Sequence, residues 1–265
     1  MLQRELSLST TTQLAGRAFF AALALAVFVA VSMRGDAWRA FREMGRDGLA
    51  FAVSVSIASG AFIVALNHTS VANVLFLQAA SPIAAALIAR VTLGEPISGR
   101  AWGAMLVALC GVAIMLGGPG GGEYFGFGVS LLMTLAFAVS IVIARHRREI
   151  SMAPATCLSQ LFVLAVAAPF ATPGEIGGHD LVLLIALGVG QMGLGLALFT
   201  VGARLLPAAE IALITLLEIV LGPLWVWIVV SEQPSAATIA GGVVVIVAVV
   251  LQTTGDGSSR SPVPH

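Results

Sequence analysis

Apolar residues run in blocks of about 18 to 24, broken by short stretches of turn chemistry, and each block is long enough to cross a hydrocarbon core of about 30 Å as a helix. The pattern predicts helices over 15–33, 49–67, 70–91, 99–117, 124–144, 152–171, 181–203, 207–230 and 236–253. The breaks read NHTS, LGEPIS, GGPGGG, ATPGEIGG and SEQPS, rich in the residues that stop helices and make turns. The longest polar connection, RGDAWRAFREMGRDG at 34–48, spaces Trp38, Phe41 and Met44 by threes. It reads equally as a short interfacial amphipathic helix or as a charged loop. Residues 254–265, TTGDGSSRSPVPH less its first Thr, read as a disordered tail.

Two long segments echo one another: AASPIAAALIARVTLGEPIS at 79–98 and LLEIVLGPLWVWIVVSEQPS at 216–235, a shift of 137. The shift sets Glu95 on Glu232, Ser98 on Ser235, and each helix from 152 onward on a helix of the first half. Ser98 and Ser235 each precede an apolar helix and suit the cap of its first amides. Five crossings separate each position from its copy, so the copies face opposite ways, the pattern of inverted-repeat secondary transporters. The helix at 124–144 maps to −13 to 7, so the first unit holds four helices against five. The expectation is that the sequence starts late, within a first connecting loop. The units are 1–117 and 124–253, joined by a Gly-rich linker at 118–123.

Composition agrees. Hydrophobic residues make up 58% and charged residues 10%, against roughly 25% charged in an ordinary soluble domain. The fold class expected is an all-α integral membrane protein. Net charge is zero and all 13 basic residues are Arg, which leaves no basic surface for nucleic acid. Cys110 and Cys157 both sit in apolar runs, where free Cys behaves as a small hydrophobe. The stretch at 18–31 resembles a signal-peptide core, but its leader carries Glu5 and a poor cleavage sequence follows; we read it as the first spanning helix. Eleven Arg fall on one side of the nine-helix path and only Arg4 and Arg17 on the other, which makes the Arg-rich side cytoplasmic. The amino terminus is then outside and the carboxyl terminus inside, in a bacterial inner membrane.

LNHTSVANVLFLQAASPIAAALIARVTLGEPIS and GARLLPAAEIALITLLEIVLGPLWVWIVVSEQPS, each followed by an apolar helix, resemble the two EamA-type repeats of the drug/metabolite transporter superfamily. The resemblance covers 15–253. It implies ten helices in two inverted halves of five, a central cavity, and export of amino acids, other metabolites or drugs. This chain departs from the pattern in lacking the first helix, and in having Ile219 where the second repeat usually has the Pro that Pro82 supplies in the first; Pro223 stands four residues later.

Glu218 lies near the middle of 207–230 with Glu210 eight residues earlier, and their shifted partners are Ser81 and Asn73. An ionised carboxylate near the bilayer centre costs about 2.5–3.5 kcal/mol on insertion scales. The thirteen Leu, Ile and Val of that helix offset this by roughly 4–8 kcal/mol. Glu218 reads as a central substrate-facing or proton-coupling group, or else as a protonated side chain bonded to a neighbouring helix. GVGQMGLG at 188–195 carries Gln191 opposite Ser54 of the first half, with glycines that suit either a loosened helix or a packing seam. Gln78 completes the cavity candidates. Pro82, near the middle of its helix, weakens it and frees a carbonyl; with Pro223, Glu95 and Glu232 it is assigned to hinges and loop order.

Three other classes fit less well. IASG at 57–60 resembles an intramembrane protease motif, but the four His lie at helix ends, in loops or in the tail, so no base is available at that depth. No ligand-spaced cluster marks a metal site, and no cofactor is expected. A scaffold or a defective truncated carrier is the alternative function. The expected partners are a small-molecule solute, the lipid bilayer and a coupled proton, with a homodimer an open assembly.

Overall fold

The computed structural model describes residues 6, 8–33, 36–69, 71–94, 96–116, 124–147, 149–202, 205, 214, 217, 221 and 235–255. The sequence positions Glu95, Glu210, Glu218, Pro223 and Glu232 lie outside them, as do the 117–122 Gly-rich break and residues 256–265.

Helix follows helix: α1 Thr10–Ser32, α2 Ala37–Glu43, α3 Gly45–His68, α4 Val71–Ala79, α5 Ser81–Leu93, α6 Gly99–Leu116, α7 Tyr124–His146 and α8 Ala153–Ala167. After two short 3-10 turns come α9 Gly178–Ile185, a π-helical segment Ala186–Leu194, α10 Gly195–Gly202 and, last, α11 Ala236–Gly255. Six helical stretches among the described residues are long and apolar enough to span a membrane, and Gly99–Ile114 and Ala236–Val250 are shorter apolar helices. The predicted 207–230 helix falls mainly outside the described residues, so nine is not a count the described residues complete. The last helix runs to Gly255, two residues into the stretch read as tail.

The packing shows which solvent the chain was built for. Its buried side chains are largely small, Ala18, Ala21, Ala52, Ala85, Ala108 and Ala138 among them, while Phe19, Leu23, Val31, Phe125, Val182 and Leu198 point outward. In lipid, association depends on close backbone approach rather than on expelling apolar surface from water, so small residues belong at the seams. Gly111 is one such contact: a Cβ there would stand 2.9 Å from the Gly241 carbonyl oxygen of α11.

The inverted repeat is visible in who packs on whom. Under the 137 shift α1 exchanges with α8 and α6 with α11; each of these pairs packs together, as elements beside a two-fold axis can. The shift also exchanges α3 with 178–202, and the packing of α8 on α3 is matched by that of α1 on the π-helical segment. The caps repeat as well. Ser98 Oγ accepts from the Ala101 amide and Ser235 Oγ from the Thr238 amide, each at 3.1 Å and 137 residues apart.

The connection at 34–48 is helical at its centre. Phe41 packs onto two core clusters and Met44 is buried, but Trp38 is 77% exposed. Steps of three residues drift about 60° per step around a helix of 3.6 residues per turn, which carries Trp38 off the face that Phe41 and Met44 share. Its exposed Arg39 Nε meets Glu43 Oε1 at 2.7 Å, and this carboxylate raises the Arg39 pKa. At the same end of the bundle Arg147 Nε lies 3.0 Å from Asp47 Oδ2, joining α7 to α3. The pair is close but poorly aligned for a hydrogen bond and half exposed, so it adds about 0–1 kcal/mol.

A candidate solute path at a broken helix

The predicted 70–91 helix is interrupted. α4 ends at Ala79 and α5 begins at Ser81, with Pro82 buried in the first turn of α5. Proline has no N–H, so the Gln78 carbonyl has no donor four residues on. The backbone answers with a tighter turn, the Ala80 amide bonding to the Leu77 carbonyl at 3.0 Å. The weakening anticipated at Pro82 is therefore a one-residue interruption at Ala80, whose backbone stays in the α region (φ −80°, ψ −7°) within a span that runs from Asn73 to Leu93.

Ser81 and Gln78 stand on either side of that break. Ser81 is 1% exposed and its Oγ has no hydrogen-bond partner; the Gln78 side-chain oxygen is buried and equally without one. Other buried hydroxyls behave differently. Ser130, Thr134, Ser140, Thr156, Ser159 and Thr200 all donate back to a carbonyl three or four residues earlier, at 2.7–2.9 Å. That is the ordinary way for a helix to satisfy a hydroxyl in an apolar setting. Ser81 sits at a helix start, and it is the one buried hydroxyl among the described residues without a partner.

Asn73, one residue past two turns before Ala80, is 2% exposed and donates to Thr69 Oγ1 at 2.9 Å. It caps the α3–α4 corner rather than standing with Gln78 and Ser81. Ser54 is half-buried on α3, and Gln191 is exposed on the π-helical segment. Their neighbours are related: Leu49, Val53 and Ile57 of α3 and their shifted counterparts Ala186, Gly190 and Leu194 are all exposed, so both halves keep the corresponding helix face open. Leu217, the shifted counterpart of Ala80, packs on the cluster that contains Ala79 and Ala86.

The glycines at 188–195 divide between the two roles weighed for them. A Cβ at Gly188 would stand 2.7 Å from the Arg17 carbonyl oxygen, and one at Gly193 2.8 Å from Ala24 Cβ, so both are seams against α1. Gly190 and Gly195 would meet nothing within 4 Å. The π-winding itself gives one more residue per turn and is a feature that often coincides with functional sites.

One buried polar group escaped the sequence reading. Arg17, placed there at the outer end of the 15–33 helix and counted only for orientation, lies inside α1 and is 1% exposed. Its Nη2 donates to the Ser59 carbonyl oxygen at 3.1 Å and to Ser59 Oγ at 2.9 Å, while Nε and Nη1 have no acceptor. An arginine inside a spanning helix costs about 2.5–3.5 kcal/mol on insertion scales. Its position inside the predicted 15–33 helix, as the third residue, was the available signal. Among the described residues no group of three or more His, Cys, Asp or Glu is placed to hold a metal ion.

Two packed, inverted helical units with unpartnered polar groups at a broken helix define a multi-pass membrane transporter. The chain belongs to the EamA-like transporter family, whose model matches residues 1–117 and 124–254. Among its relatives is the pseudopaline exporter CntI of Pseudomonas aeruginosa, 29% identical over 196 residues, which are 71% of this chain and 67% of the relative, in each of two strains. A solved crystal structure superposes with a TM-score of 0.78 over 96% of this chain and 90% of that one; at 17% identity it shows the shared fold alone.

Proposed function

We propose that the chain exports small metabolites, amino acids or drug-like solutes across a bacterial inner membrane by alternating access, without enzymatic chemistry. The unpartnered Ser81 hydroxyl beside the α4–α5 break carries this reading. A polar group left open where a spanning helix is interrupted is how such carriers present donors and acceptors to a solute. Gln78 joins it there, and the open faces of Ser54 and Gln191 extend the path in each half. Direction follows from the likeness to CntI, named as an exporter of pseudopaline.

Glu218 is the shifted counterpart of Ser81. In this reading Glu218 takes up a proton from one side and releases it to the other as the solute passes. Glu210 and Asn73 lie towards opposite mouths, Pro82 and Pro223 let the two crossing helices flex, and Glu95 and Glu232 order the loops before the capped helices. The orientation has the amino terminus outside and the carboxyl terminus inside, and two copies associating in the membrane is compatible with the exposed apolar faces.

The test is export by intact cells expressing the chain, with solutes in the medium profiled by mass spectrometry. Ser81→Ala and Gln78→Leu should cut export at least several-fold while leaving membrane levels and thermal stability near wild type. Glu218→Gln should remove its pH dependence. A folded wild-type chain that changes no extracellular solute would favour a scaffold instead.

A further inference from the structure

Arg17 is built as a binding group and has too little to bind. Seven residues separate it from the start of α1 at Thr10, about 10 Å along the axis, and it is enclosed by helices instead of facing headgroups. A guanidinium carries five N–H donors in a planar fork suited to carboxylates and phosphates, yet here one nitrogen meets Ser59 and the other two meet no acceptor. Among the described residues no carboxylate stands within ion-pairing distance of it. A charge held this way inside a membrane protein marks a solute or ion pathway more often than a structural tie.

Its surroundings supply a second open group. Val55 and Ala155 share one core cluster and Ile63 and Val163 another, so α3 and α8 run parallel and bring Ser59 level with Ser159 and Gln160. Gln160 is fully buried; its Nε2 donates to Ser159 Oγ at 3.2 Å and its Oε1 has no partner. One open donor face and one open acceptor thus sit at the same depth. They lie where α1 of the first repeat packs on α8 of the second, a seam that rocking of one repeat on the other would open. The turn of α1 that carries Arg17 is also the one gripped by Gly188 of the π-helical segment.

We propose that Arg17 recognises the carboxylate of the transported solute, with Gln160 accepting from an amino or hydroxyl group of the same molecule, and that Ser59 holds the guanidinium while the seam is closed. The substrate class is then amino- or hydroxy-carboxylic acids. This rests on the carrier reading above, and the two can fail separately.

Thermal unfolding of the purified full-length chain in detergent, titrated with sodium acetate and, in parallel, with acetamide at matched sodium chloride, tests the site without transport. Wild type should show a saturable rise in Tm with acetate and none with acetamide, since a ligand that binds only the folded state stabilises it by mass action. Arg17→Gln should abolish the rise. Ser59→Ala, which removes the shorter of the two contacts of Nη2 and leaves only the Ser59 carbonyl, should lower the half-saturating acetate concentration about two-fold or more, and it decides the matter if Arg17→Gln fails to fold. Equal responses to acetate and acetamide, an acetate response that survives in Arg17→Gln, or an unchanged midpoint in Ser59→Ala would overturn the proposal. In the cell export assay, loss of carboxylate-bearing solutes alone in Arg17→Lys supports it. Wild-type export confined to neutral or cationic solutes defeats it while sparing the carrier reading; no export at all defeats the carrier reading while the acetate titration still stands.

Discussion

Phe51 of α3 and Gly188 of the π-helical segment are the same position of the repeat, 137 residues apart, and opposite in size. Phe51 is fully buried in a cluster with Met152 and Ala155 of α8. Gly188 is pressed against Arg17, Phe20 and Ala21 of α1. Since α1 and α8 also exchange under the repeat, one contact occurs twice, and the side that supplies its volume has switched. In the first half α3 brings a large ring into a cluster with Met152 and Ala155. In the second half the equivalent helix brings glycine to a bulky partner. Close packing demands that a contact be filled, not which helix fills it, so the duplicated units drifted apart in composition while keeping their geometry. The consequence is mechanical asymmetry: α3 is a regular α-helix over 24 residues, whereas its counterpart is π-wound from Ala186 to Leu194.

The comparison sharpens under substitution. Phe51→Ala should have the largest effect, about 3–5 kcal/mol of lost stability from the cavity left in a filled contact, read from thermal or denaturant unfolding in detergent. Gly188→Ala comes next, at about 1–3 kcal/mol, because the new Cβ meets a backbone oxygen at 2.7 Å that cannot move aside cheaply. If Gly188→Ala proves neutral, the seam is looser than the structure shows and the switch of volume loses its meaning. Ser98→Ala and Ser235→Ala should each cost about 1 kcal/mol; the amide contact is 3.1 Å in both, but Ser235 Oγ also meets Thr238 Oγ1 at 3.0 Å where the first half has Ala101, so Ser235→Ala should cost the more of the two, and an equal cost would show that the extra hydroxyl adds nothing. Gly190→Ala should be the smallest, within about 0.5–1 kcal/mol and in the stabilising direction, as nothing stands within 4 Å of its Cβ.

Much of the fold was legible along the chain. Spanning helices announce themselves because a backbone in hydrocarbon must satisfy its own hydrogen bonds, and a run of apolar residues leaves few alternatives. The helix ends at Gly99, Tyr124 and Ala236 fell where the pattern placed them. The candidate site was less legible. Gln78 and Ser81 were recognised as polar residues near Pro82, but their lack of partners depends on where the break falls. Asn73 belongs to a corner, and the glycines near Gln191 split into packed and open ones by which neighbour lies beside each. Arg17 was used only to orient the chain, because counting residues gives a side of the membrane and not a direction around the helix.

The chain's periodicity and its internal echo determined that this is a membrane-embedded pair of inverted helical units, because length, hydropathy and repetition are properties of position along one dimension. Tertiary structure alone decided that Ser81 stands open, that Gly188 is gripped, and that Arg17 lies enclosed between the units on Ser59 instead of at a surface. Those facts depend on which helices meet and at what height, and a helix of 3.6 residues per turn offers every side chain to a different neighbour until packing selects one.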